Sequence, residues 1–144
     1  MKKINLTKAH IECIKHFKKS KFSIPILDIK DLEEYPFLLI IQSVIENNIK
    51  LTIYPLNVDK ISKISLTGFN LSNEVFEDLS KFLRDFKIIH SSGVILIGNR
   101  FYYECYLNIS DAEEKSKNLK ASFNKIKNIF EEINIEEIVP TKHK

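Results

Sequence analysis

Glycine is scarce in this chain. Only Gly68, Gly93 and Gly98 occur in 144 residues. A phosphate-cradling P-loop or a dinucleotide-binding turn needs several closely spaced glycines, so that backbone N–H groups can approach the phosphates. No stretch here meets that need. Cysteine is scarcer still, with only Cys13 and Cys105. Two cysteines make neither a disulfide framework nor the paired spacing of a structural zinc site, and they point to a reducing cytoplasm. Long apolar runs are missing too. The longest, "PFLLII" at 36–41, is far too short to span a bilayer, so no membrane partner is expected. The first ten residues, "MKKINLTKAH", begin basic but lack the apolar core of a secretory signal.

What is present is ordinary for one small globular protein: 44% hydrophobic and 28% charged residues, with a net charge of +3. The charge is unevenly placed. Residues 1–21 hold seven lysines against Glu12 alone, so that segment is +6 and the remainder −3. Such asymmetry points to an anionic contact. A solvated lysine face is the simpler account, because nearly all basic residues here are lysine.

Periodicity divides the chain. Leu6, His10, Ile14 and Phe17 recur at helical spacing and predict a helix over 5–20. A strand follows at 22–29. Pro36 suits the first turn of a buried helix over 36–48, with a strand over 37–41 as the alternative. Residues 49–56 alternate as a strand. From residue 61 the order is strand, helix (71–86, with Phe76, Leu79 and Phe82 on its apolar stripe), one long strand or two short ones broken at Gly93, hairpin at Gly98-Asn99, strand, helix from Ser110 (with Phe130 and Ile133 on its stripe), and a short last strand. The expected fold class is α+β: an α-β-α-β segment over 1–58, then a ferredoxin-like split βαβ unit over 61–140 as a two-layer sandwich.

That element order resembles ACT domains and the effector halves of Lrp-type regulators. The resemblance implies a small-effector site in the first strand–helix loop, at Gly68, Asn70 and Ser72. Read from the residues alone, the same loop is a turn followed by a helix cap.

Three other clusters could carry chemistry. "AHIECIKHF" places His10, Cys13 and His16 three apart. On a helix they fan across a third of the circumference instead of meeting at i and i+4, so no metal is expected there. "IHSSG" sets His90 beside Ser91 and Ser92, but neighbours on a strand point to opposite faces, and no catalytic residue is assigned. "RFYYECYLNI" puts Phe101, Tyr103, Cys105 and Leu107 on one face and Tyr102, Glu104 and Tyr106 on the other. The second face is expected to be covered, either by the N-terminal half or by a partner or second copy, with Lys63 neutralising Glu104.

Together these features favour a small non-enzymatic binding module, without cofactor, that pairs with a protein partner or itself as a homodimer and has room for a small effector. Two alternatives stand beside it. One is a transcriptional regulator touching nucleic acid weakly through Lys8, Lys15, Lys18 and Lys19 on the first helix. The other is a small enzyme with a site between the halves, using His90 and Glu104.

Overall fold

The computed structural model describes residues 4–17, 34–69, 72–84, 86–108, 121, 124 and 130–142. Two compact units divide it. Unit 1 comprises 1–60 with 138–144, and unit 2 comprises 61–137.

Unit 1 is built on a three-stranded antiparallel sheet of β1 (Thr7–Cys13), β2 (Phe37–Ile45) and β3 (Asn48–Leu56), in the order β1-β2-β3. The four-residue helix α1 (Ile14–Phe17) follows β1. The α-β-α-β segment expected over 1–58 is therefore corrected. Residues 7–13 are a strand instead of the middle of a helix, and 37–45 are a strand, as in the alternative for 37–41, instead of a helix over 36–48. Both errors have a physical cause. Leu6, His10 and Ile14 are spaced by four, which satisfies a helical face and one face of a strand alike. The apolar run at 37–41 has no period because Leu38, Leu39, Ile40 and Ile41 are all buried. A central strand covered on both faces reads this way, and its β-branched residues favour that outcome. The strand expected at 22–29 lies outside the described residues.

Unit 2 carries a five-stranded sheet. Its strands are β4 (Ile61–Phe69), β5 (Ile88–Ser91), β6 (Ile95–Ile97), β7 (Arg100–Leu107) and β8 (Glu132–Ile138). Strands β5, β7, β4 and β8 lie in that order, and β6 also pairs with β7. The amphipathic helix α2 (Asn73–Arg84) lies between β4 and β5 in sequence. The ferredoxin-like βαββαβ unit expected over 61–140 is likewise corrected. The described residues are mostly strand, with two sheets and one helix longer than a turn. Residues 88–97 form two short strands broken at Gly93, the second of the two readings of that stretch, which adds β6 to the sheet. The helix expected from Ser110 falls largely outside the described residues, and Ile133, expected on its apolar stripe, sits in β8.

The core of unit 2 lies between α2 and one face of this sheet. Ile64 and Leu66 of β4, Leu79 and Phe82 of α2, and Phe101, Tyr103, Cys105 and Leu107 of β7 pack with Phe130. Gly68 is required here. A Cβ at this position would fall 2.5 Å from the end of the Phe101 ring, so the ring occupies the space a side chain would take. Phe101 then meets Phe130 edge-on, with centroids 5.8 Å apart.

Candidate functional site

The polar face of β7 is the densest cluster of chemistry in unit 2. Register places Lys63 opposite Tyr106 and Ser65 opposite Glu104 on the neighbouring β4. Alternation then aims Lys63, Glu104 and Tyr106 to the face away from α2. Lys63 Nζ lies 3.1 Å from Glu104 Oε2 and 5.9 Å from the centre of the Tyr106 ring. His90, opposite Tyr106 from β5, brings its ring to 6.0 Å from that of Tyr106. Tyr102, Glu104, Tyr106 and Lys63 are all buried in the single chain, with Tyr106 fully so and Glu104 and Lys63 only 3% and 4% exposed. The four expected interface residues thus share one face, and the expected Lys63–Glu104 pair is present.

Chemically this cluster is held, not poised. The Glu104 carboxylate lies against the lysine, which stabilises both charges out of water. The serines of "IHSSG" are engaged in structure. The Ser92 N–H donates to the Glu104 carbonyl at 2.9 Å, and the Glu104 N–H donates to Ser92 Oγ at 2.9 Å. Ser91 Oγ donates to the Tyr103 hydroxyl at 3.0 Å. These bonds carry pairing across the break at Gly93, whose φ of 71° suits glycine. On the opposite face, burial pushes the Cys105 thiol up to about 12. A thiol so raised is not a nucleophile near neutral pH. Burial likewise raises the Tyr103 hydroxyl to about 12.

The other expected positions are scattered. The space over Gly68 is filled by Phe101. Ser72 caps α2: the Val75 N–H donates to its Oγ at 3.2 Å and the Phe76 N–H to its carbonyl at 3.1 Å. Asn70 lies outside the described residues. His10 and Cys13 point to opposite faces of β1, while His16 falls in α1. Among the described residues no group of three His, Cys, Asp or Glu side chains could hold a metal ion. Lys8 is exposed on β1 and Lys15 is exposed on α1, so they do not share the face of one long basic helix. Lys18 and Lys19 lie outside the described residues.

The sequence reading missed the tip of the β2–β3 hairpin. Val44, Ile45, Ile49 and Leu51 are 69%, 61%, 71% and 40% exposed. Val44 and Ile49 are directly paired across the strands, and Leu51 follows on the same face opposite Gln42. The signal was visible in "SVIENNIKL": apolar Val44, Ile45 and Ile49 flank the polar stretch Glu46-Asn47-Asn48. The helix assigned to 36–48 concealed it. β3 is also an edge of its sheet among the described residues. A second apolar stretch, Ile95–Ile97 of β6, is exposed as well, but a three-residue strand offers little edge to pair with.

No helix among the described residues is long and apolar enough to cross a membrane. No protein-family model matches this chain, and no curated protein matches it.

Proposed function

We propose that the protein is a small non-enzymatic binding module that contacts a protein partner or its own copy through the β2–β3 hairpin. The observation that carries this reading is the exposed cross-strand cluster of Val44, Ile49 and Leu51, joined at the turn by Ile45. Exposed apolar side chains occurring singly need no explanation, but a contiguous group on a sheet edge is the surface that association buries. The polar cluster around Glu104 supports the non-enzymatic part, because its carboxylate already faces Lys63 and its serines hold backbone. A reducing cytoplasm suits the two free thiols, Cys13 and Cys105.

Cross-linking of the full chain in its native extract, with and without Ile49→Lys, tests the reading. The expected result is an assembly larger than one chain that disappears in the variant, while the circular dichroism stays unchanged. A chain that forms no Ile49-dependent assembly of any kind contradicts it.

A further inference from the structure

The hairpin register determines which backbone groups β3 turns outward. Ile45 pairs with Asn48 across the two-residue turn Glu46-Asn47. In such a turn the flanking residues exchange both hydrogen bonds. Alternation then bonds Lys50, Thr52, Tyr54 and Leu56 of β3 to β2, and leaves Ile49, Leu51 and Ile53 with their N–H and C=O groups directed away from it. Two observations agree with this parity. Pro55 falls in the outward set, where its missing N–H breaks no ladder bond. On the other side of β2, the Ile14 N–H donates to the Pro36 carbonyl at 3.1 Å, which continues the even-numbered β2 positions as the ones bonded to β1. By the same parity Ile11 of β1 faces outward. That edge is occupied: Ile11 pairs in parallel with Pro140, and the Thr141 N–H donates to the Ile11 carbonyl at 2.9 Å.

We propose that β3 pairs antiparallel with β3 of a second copy about a two-fold axis at Leu51, an assignment that rests on the binding reading above and names its partner. Of the registers that match outward groups to outward groups, those centred on Lys50, Leu51 and Thr52 set at least two of Ile49, Leu51 and Ile53 against one another. Centring on Lys50 sets it against its own copy, and like charges directly opposite destabilise. Centring on Thr52 sets Ile49 against Pro55 of the second copy, which lacks the N–H required. Centring on Leu51 sets Ile49 against Ile53 and Lys50 against Thr52, and leaves Pro55 beyond the pairing, opposite the turn. It also continues the exposed Ile49 and Leu51 side chains with their copies on one face of a joined sheet. Because the β1 edge is occupied at Ile11, pairing through β3 closes at two chains and does not propagate as a filament.

Sedimentation equilibrium of the full chain from micromolar to millimolar concentration reads the stoichiometry. A dimer is expected. Leu51→Pro removes both N–H donors at the axis and no bond to β2, so it weakens the dimer by about thirtyfold or more. Cysteines introduced one at a time in a Cys13→Ser background, where the remaining Cys105 is buried, read the register without relying on that variant's fold. Under mild oxidation Leu51→Cys cross-links to its copy, because hydrogen-bonded pairs stand about 5.5 Å apart at Cα, within disulfide reach. Lys50→Cys and Thr52→Cys cross-link far less. Preferential cross-linking at 50 or 52, or a dimer that Leu51→Pro leaves intact, overturns the proposal. A chain that stays monomeric at millimolar concentration overturns it too. If that monomer still enters an Ile49-dependent complex with another protein, the binding reading stands and only the second copy is excluded.

Discussion

Strands β7 and β3 differ by one residue in length, eight against nine, yet they have opposite environments. β7 has β4 on one side and β5 and β6 on the other, and Phe101–Leu107 are buried without interruption. β3 has β2 alone among the described residues, and its first four residues are exposed. Both are rich in β-branched or aromatic residues, so strand propensity does not separate them. The number of neighbours does. At the centre, even charged Glu104 is held dry against Lys63. At the edge, Ile49 and Leu51 stay in water. A buried charge at the centre must be paired. An apolar side chain at the edge is a surface for association.

The contrast breaks most sharply at the ion pair. Lys63→Met takes the lysine away from the buried Glu104 carboxylate and should lower stability by about 3–5 kcal/mol. Adding Glu104→Leu should recover most of that loss, since apolar replacement of a buried pair is close to neutral. Urea unfolding of both variants measures it. At concentrations where the chain is monomeric, Leu51→Lys at the edge should change stability by less than about 0.5 kcal/mol, as exposed substitutions do.

Gly68→Ala comes next. The added Cβ meets the Phe101 ring at 2.5–2.6 Å, and the resulting overpacking should cost about 1–3 kcal/mol. Thermal unfolding will show it, and Gly98→Ala is a poor substitute because its φ of 61° adds backbone strain.

Alkaline pH should act on the centre as well. Cys105 and Tyr103 have folded-state values raised to about 12 from 9.0 and 10.0. The unfolded chain therefore loses these protons first, and the folded state binds more. Their contribution is full below about pH 9 and is lost as pH rises toward 12. Denaturant midpoints measured across pH 8–11 should fall, and fall less steeply in Cys105→Ala relative to its own value at pH 8.

The smallest effect belongs to the edge. Glu46 opens the hairpin turn at a φ of 51°, a conformation unfavourable for a side chain and natural for glycine. Glu46→Gly should stabilise unit 1 by about 0.5–1 kcal/mol. A lower melting temperature in this variant would show that the turn is not strained.

The same contrast explains what could be read beforehand. The alternation in "RFYYECYL" was legible, because a half-polar strand leaves a period-two pattern, and it led to the Lys63 partner of Glu104. The amphipathic α2 was legible for the same reason, except that Phe76, placed on its apolar stripe, is exposed. The hairpin Gly98-Asn99 followed from turn chemistry. By contrast β1 and β2 were not legible. Spacing by four at Leu6, His10 and Ile14 fits two periods, and an apolar run buried on both faces has none. The turn at Glu46-Asn47 lacks the glycine that would have announced it. With that hairpin unseen, Val44 and Ile45 read as part of a buried helix, and the interface was sought on the tyrosine face.

Residue-resolved amide hydrogen exchange at low and high protein concentration tests the distinction between centre and edge most directly. Amides of Tyr103–Tyr106 should exchange slowly at both concentrations, and those of Lys50 and Thr52, bonded to β2, at a rate that follows the stability of unit 1. Amides of Ile49, Leu51 and Ile53 should exchange freely when dilute and become protected when concentrated. Protection of these three amides that is equal at both concentrations, whether strong or absent, would contradict an open β3 edge closed by a second copy.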